Sequence, residues 1–391
     1  MKGVLKSLKI LDFTTMLPGP LASLYLADLG AQVLRIESPE RPDPMRSLPP
    51  FKDGESVAHS YINRSKRSLS IDLKKSQAKE VIYKLVERYD VLIEQFRPGV
   101  MARLGLGYED LAAINPQLIY VSLTGYGQNG PLKKRAGHDI NYLALSGVSS
   151  YSGTKTGGPV LSGLQLADMA GGSYHLVMGL LAAVIHRLEE GEGQYLDISM
   201  TDSILSMQGL YAASTLNGKG DLSYESHVLN GGSYYDYYAS KDGHYFAVGS
   251  LEPKFLKALV ETLACSELLP LLKNDPAKFK QGLKEQFSSR DSHELKKLFA
   301  NVDACVEPVQ SMSEACKHPH FHERNMFIQV PKSELNPTET ETQVASPFKF
   351  SKTQASYNFI GRKQGADSES VLQEIGFRSE QIELLKTEKV I

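Results

Sequence analysis

An α/β protein with a parallel sheet is what this sequence predicts, and three observations carry that prediction. Short apolar runs (LKILDF, AQVLRIE, DVLIEQF and IYVSLTGY) alternate with segments of helical periodicity as far as Tyr126. The first two runs enclose a turn and a helix, making a βαβ unit, and such units build parallel sheets with helices on their faces. With 391 residues, 41% of them hydrophobic, the chain can bury more than one core. From about Leu222 its character changes to short strands around Gly and Asp turns, which suggests a smaller α+β domain.

Taken in order, LKILDF is the first strand, TTMLPGP a punctuated turn, LASLYLADLG a helix stopped by Gly30, and AQVLRIE the second strand. The turn lacks G-x-G-x-x-G, so a dinucleotide site is poorly supported. Helix QAKEVIYKLVERY precedes strand DVLIEQF, and helix DLAAINPQL precedes strand IYVSLTGY. Asp168 to Arg187 reads as a long apolar helix in the core, and GQYLDISM as a strand. In LNGGSYYDYYASKDGHYFAVGS the strands alternate around a KDG hairpin turn. The segments SELLPLLKNDPAKFKQGLKEQF and DSHELKKLFA read as helices, and SVLQEIGFRSEQIELLK as a pair of short amphipathic ones.

Composition excludes several classes. A formal charge of -2 supplies no global field to recruit nucleic acid or an anionic membrane. Cys265, Cys305 and Cys316 have no metal spacing and cannot pair evenly, which fits free thiols in a reducing compartment. The opening MKGVLKSLKILDF lacks the apolar run of a signal peptide, and EKVI carries no peroxisomal address, so a cytoplasmic location is expected. The most apolar stretch, LVMGLLAAVIH, reads as a core helix and not a membrane span.

Four groups of residues are candidates for chemistry. His138 lies just ahead of a helical pattern, where the positive end of the helix dipole favours a neutral imidazole; it reads as a general base or as a capping histidine. Asp168 precedes Ala170-Gly171-Gly172 and an apolar helix; it reads as an N-cap, or as a functional carboxylate beside glycines that admit a ligand. Arg35, Arg64, Lys66 and Arg97 form a basic set, with Arg97 in the turn FRPGV directly after a strand, where ligands of open α/β sheets lie. His318, His320 and His322, spaced two apart in HPHFH, would share one face of an extended segment, but no acidic or cysteine partner accompanies them and metal binding is poorly supported.

Taken together, LDFTTMLPGPLASLYLADLGAQVLRIE, NRSKRSLSIDLK, FRPGVMARLGLG, GHDINYLALSG, the Asp168-Met-Ala-Gly-Gly turn, GEGQYLDISMTD, KDGHYFAVGSLEPKF and HPHF resemble the family III CoA transferases, a group that includes the alpha-methylacyl-CoA racemases. The resemblance spans nearly the whole chain. It implies a Rossmann-like large domain over 1–205 and 337–391, a smaller α+β domain over 206–336, and an interlocked homodimer with active sites at the interfaces. It also implies an acyl-CoA substrate, with coenzyme A as part of that substrate and no metal, flavin or nicotinamide. Arg35, Arg64, Lys66 and Arg97 would line the path of the CoA. GHDINY matches the racemase form of the motif, which implies His138 and Asp168 as paired bases, the Asp139 N–H as donor to an enolate oxygen, and Glu252 as the residue orienting His138. The alternative within the family is CoA transfer with Asp168 as nucleophile.

Overall fold

The computed structural model describes residues 3–391, which fall into two compact units. One takes the residues up to Ser146, Ser162–Met207 and Glu323–Ile391; the other takes Gly147–Leu161 and Gln208–His322. The expected boundaries after 205 and 336 therefore move. The excursion at 147–161 is rich in Gly, Ser and Thr, which marks a loop but not a change of unit, and the return to the first unit begins at Glu323.

The first unit is built on six strands: β1 (Lys9–Asp12), β2 (Gln32–Glu37), β3 (Lys66–Ser70), β4 (Val91–Glu94), β5 (Ile119–Thr124) and β6 (Tyr195–Ser199). Their spatial order is β6-β5-β4-β1-β2-β3, and all neighbours are parallel. This is the doubly wound order, with its reversal between β1 and β4. β4 and β5 are buried at every position, which is why they read as continuous apolar runs. β3 is hidden in the basic stretch NRSKRSLSID, whose charges mask its strand character.

Helix α1 (Pro18–Asp28) starts inside the expected turn. Pro18 and Pro20 fit there because the first helical N–H groups have no partner to lose. Gly30 follows its end at φ +99°, a conformation that favours glycine. Helix α2 (Ser76–Val86) buries Ala78, Val81, Ile82, Leu85 and Val86 on one face. The same core receives Val371, Leu372, Ile382 and Leu385 from the helices Ser368–Glu374 and Ser379–Thr387.

Three of the four basic residues expected along a ligand path are instead internal. Arg64, 1% exposed, donates from Nε to Asp28 Oδ1 at 2.8 Å and from Nη2 to Oδ2 at 2.6 Å. Its Nη1 donates to the carbonyl of Val344 at 2.7 Å, and the Tyr61 and Tyr357 rings flank the guanidinium. Lys66 donates to the Pro20 carbonyl at 2.7 Å and to Asn63 Oδ1 at 3.1 Å, and burial lowers its ammonium to about 7. Arg35 donates to Asp43 at 2.8 Å and lies 3.3 Å from Glu37. The sequence shows the charges but not that they turn inward: Asp28 lies 36 residues from Arg64, and Glu37 and Asp43, though close to Arg35 in sequence, do not by themselves mark a buried pair.

The second unit has an antiparallel sheet of Asp236–Ala239, Tyr245–Val248 and Val306–Pro308, with Tyr245–Val248 in the middle. The KDG turn closes its hairpin, where Asp242 accepts from the Ser240 hydroxyl at 2.6 Å. LNGGSY, read as part of a strand, forms turns instead. Helices Pro253–Thr262, Pro276–Ser288 and Ser292–Phe299 cover this sheet through Leu259, Phe279, Phe287 and Phe299.

Two further expectations change. HPHFH is not extended, because Pro319–Glu323 is a helical turn. Among the described residues no group of three or more His, Cys, Asp or Glu is placed to hold a metal ion. The apolar helix is longer than expected: Ala167–Glu190 is continuous over 24 residues and is long and apolar enough to cross a membrane by length and composition alone. It comprises a π-helix, Ala167–Tyr174, and helix α4 (His175–Glu190), which packs on β5 and β6.

Replacing Arg64 with Met removes one member of a buried pair and strands the Asp28 carboxylate. The loss is on the order of 3–5 kcal/mol, read as a lowered urea midpoint for the first unit.

Candidate active site

In an open doubly wound sheet, the chain diverges at the reversal of strand order and leaves a crevice at the carboxyl ends of the strands. Here the crevice is a cleft of about 790 Å³. After β1 it is lined by Met16, Leu17 and Pro18, after β4 by Gln95, Phe96 and Arg97, and after β5 by Gly125 and Tyr126. Gln95 Nε2 donates to the Thr15 carbonyl at 2.8 Å and so ties the first two loops together across the reversal. Glu94, at the end of β4, accepts from the Phe96 N–H at 2.7 Å, and burial raises its carboxyl to about 7.

His138 is the N-cap of helix α3 (Asp139–Leu145) and lines the cleft with an exposed side chain. Its surroundings are fixed by local contacts. The Asn141 side chain accepts from the His138 N–H at 3.0 Å, and Tyr142 donates its hydroxyl to the Gly137 carbonyl at 2.6 Å. The Tyr142 ring lies edge-on to Tyr126 and fills the space a side chain would need at Gly125 or Gly137. Those two glycines let the tyrosine pack directly on the backbone that carries His138.

Asp168 lines the same cleft but is not an N-cap. It lies in the first turn of the π-helix, whose N-cap is Leu166. Gly171 and Gly172 are buried packing positions and do not open the backbone to a ligand. A Cβ on Gly171 would come within 3.0 Å of the Met200 carbonyl, in helix α5 (Met200–Met207), and one on Gly172 within 3.0 Å of the Pro18 Cβ. The Ser173 hydroxyl also donates to the Pro18 carbonyl at 2.6 Å. The widened helix is thereby wedged between α1 and α5, with Asp168 at its mouth. Burial pushes the Asp168 carboxyl up to about 6; the Asp139 charge adds to the rise and His138 opposes it.

Asp139 stands between these two residues. Its Oδ1 accepts from the backbone N–H of Ala167 at 2.6 Å and of Asp168 at 3.0 Å. Its own N–H is among the first of α3, which have no acceptor within the helix.

Of the sequence-derived candidates, His138, Asp168 and Arg97 line one cleft, and Asp139 joins the backbones of the first two elements. Arg35, Arg64 and Lys66 are absent from its lining. Glu252 belongs to the second unit, where it is the exposed N-cap of Pro253–Thr262. Sequence reasoning missed Lys133, Arg135, Gln165 and Tyr142, all of which line the cleft. The KKR run one residue ahead of GHDINY was the available signal for the first two.

A doubly wound α/β unit with basic residues, a histidine and a raised carboxylate at its switch point suits a small anionic ligand and proton chemistry. The chain matches the model of CoA-transferase family III over residues 5–366, and it belongs to that family. It is 34% identical over 393 residues to the alpha-methylacyl-CoA racemase of Homo sapiens, covering 99% of this chain and 97% of that protein. It is 30% identical over 357 residues to the succinyl-CoA:glutarate CoA-transferase of Homo sapiens, covering 88% of this chain and 79% of that protein. It is 31% identical over 342 residues to the acetyl-CoA:oxalate CoA-transferase of Acetobacter aceti, with 84% and 86% covered. Among solved structures, a CAIB/BAIF family protein from Brucella suis superposes with a TM-score of 0.81 at 26% identity, covering 96% of this chain and all of that one.

The raised carboxyl has a measurable consequence. Asp168 holds its proton up to about 6 in the folded protein, against an ordinary value of 3.8. Its burden on stability is therefore absent below 3.8, develops between the two values and is complete above 6. Asp168→Asn melts above the wild type at about pH 7.5 in differential scanning fluorimetry, and the gap closes as the pH falls toward about 4.

Proposed function

We propose that the protein is a racemase that inverts C2 of a 2-methylacyl-CoA by two-base proton transfer through an enolate. The observation that carries this reading is the pairing of His138 with Asp168 on one cleft, close enough for the histidine to act on the carboxyl electrostatically. The thioester acidifies the α hydrogen. In one direction His138 takes that proton, the electron pair moves onto the thioester oxygen, and Asp168 returns a proton to the opposite face. In the other direction the two residues exchange roles. A carboxyl near 6 suits both parts, because it releases and regains a proton close to neutrality. The Asp139 N–H is the donor to the enolate oxygen. Arg97, Lys133 and Arg135 suit the phosphates of the CoA. Glu252 is proposed to orient His138, on family resemblance alone. Chemistry of this kind needs no metal, flavin or nicotinamide.

A second reading is CoA transfer with Asp168 as nucleophile. The comparisons favour it more broadly than the first, since the family description and two of the three relatives named above specify CoA transfer. It requires the carboxylate to form an anhydride with an acyl group and then a thioester with CoA. His138 has no assigned part in that sequence, and this is what favours the racemase.

We further propose an interlocked homodimer in the cytoplasm. In support, α4 exposes Met178, Ile185 and Leu188, and the second unit separately exposes Leu210 and Leu216 on Gly209–Leu216. Light scattering on the eluted protein should give twice the 43.1 kDa of one chain.

Activity is tested by incubating one epimer of a 2-methylacyl-CoA in deuterated water without free carboxylic acid. Deuterium uptake at C2 with loss of stereochemical purity supports the racemase. Turnover that requires an added acceptor acid, with formation of a new acyl-CoA, supports transfer instead. For the racemase, His138→Ala lowers exchange by about 10²–10⁴-fold with CoA affinity nearly unchanged.

A further inference from the structure

The two candidate bases lie on separate stretches of chain. Asp139 and Asp168 are 29 residues apart, and Gly147–Leu161 between them leaves for the second unit. Between α3 and the π-helix the chain runs through a short helical turn, Val148–Ser150, and two two-residue strands, Gly153–Thr154 and Gly158–Pro159. The direct backbone tie between them is one carboxylate oxygen, Asp139 Oδ1, which accepts from both Ala167 and Asp168. The residue that makes this tie adjoins His138, and the segment 137–142 is itself held by the Asn141 and Tyr142 contacts.

We propose that the Asp139 carboxylate is a positioning group that holds the backbone of Asp168 in register with the helix start carrying His138. This deepens the racemase reading and rests on it for its catalytic consequence. Inversion requires two bases on opposite sides of one carbon, so an error in their separation affects every turnover. The same residue supplies the N–H assigned to the enolate oxygen, which fixes three working groups to one point.

The placement also has an electrostatic effect. Asp168 is faced by His138, Asp139 and Tyr142 from α3 and its cap, and Arg97, Lys133 and Arg135 lie along the cleft. From α1 and α5, Pro18 and Met200 reach the cleft without charge. Asp139 is therefore the negative neighbour that favours the protonated form of Asp168.

Asp139→Asn keeps an oxygen to accept the two N–H groups but removes the charge, whereas Asp139→Ala removes both. The first readout is the titration of the Asp168 carboxyl carbon by ¹³C NMR, assigned by the signal lost in Asp168→Asn. The second is C2 exchange of a 2-methylacyl-CoA in deuterated water, resolved into kcat and KM. In Asp139→Asn the titration midpoint of Asp168 falls below the wild-type value. In Asp139→Ala kcat falls about 100-fold with KM near that of the wild type, the scale of loss that small misplacement produces. Wild-type kcat in Asp139→Ala overturns the positioning role, and an unmoved midpoint in Asp139→Asn overturns the electrostatic one. Should Asp139→Ala fail to fold, amide hydrogen exchange of the wild type decides: unprotected Ala167 and Asp168 N–H groups overturn the positioning role. Protected Ala167 and Asp168 N–H groups in a protein whose wild type exchanges no α proton uphold the positioning role and remove the racemase. Exchange of the α proton by the wild type with those N–H groups unprotected does the reverse.

Discussion

The reversal of strand order between β1 and β4 is the constraint on which the site depends. Parallel strands with right-handed crossovers oblige the chain to place helices on opposite faces as it winds outward in each direction. The loops leaving β1 and β4 therefore part, and the gap between them cannot be filled by either helix. Met16, Gln95 and Arg97 occupy its rim because of that topology. The Gln95 contact to the Thr15 carbonyl then limits how far the two loops separate.

Into this gap the sequence brings two unlike devices. One is a short helix, α3, whose N-cap is His138 and whose entry is braced by an aromatic ring packed on glycines. The other is a π-helix, a form that is rare and concentrated at functional sites. The paired glycines inside it allow Met200 and Pro18 to approach, so the widened turn is stabilised by close packing on both sides. The carboxylate at its mouth is held partly out of water, which costs stability and brings its proton affinity toward neutrality.

Much of this was legible in the sequence because periodicity and punctuation are local. The alternation of strands and helices, the stop at Gly30 and the position of His138 ahead of α3 all follow from neighbouring residues. Partnerships across the chain were not legible. Arg64 looked like a ligand contact because Asp28 and Val344, its partners, lie far from it in sequence. The same holds for Asp139, which resembled only a backbone donor until the N–H groups of Ala167 and Asp168 were seen against its carboxylate. The glycine pair after Asp168 was visible, but whether glycine admits a ligand or another helix depends on what lies opposite. The strand in NRSKRSLSID was obscured because an edge strand with buried ion pairs does not alternate in hydropathy.

That edge strand has a kinetic implication. Ser68 donates its N–H to the Asp367 carboxylate across 299 residues of sequence, Ser65 donates to the Phe359 carbonyl, and Asp72 to that of Val390. These contacts close one of the longest loops the chain can make, and loop closure costs entropy before it returns any contact energy. Contacts so distant in sequence slow folding. Until residues 359–390 dock, β3 presents an unpaired outer edge beside an incomplete core, the kind of surface on which chains associate wrongly. The first unit is therefore expected to be more aggregation-prone during its own assembly than its finished sheet, with β4 and β5 buried at every position, would suggest.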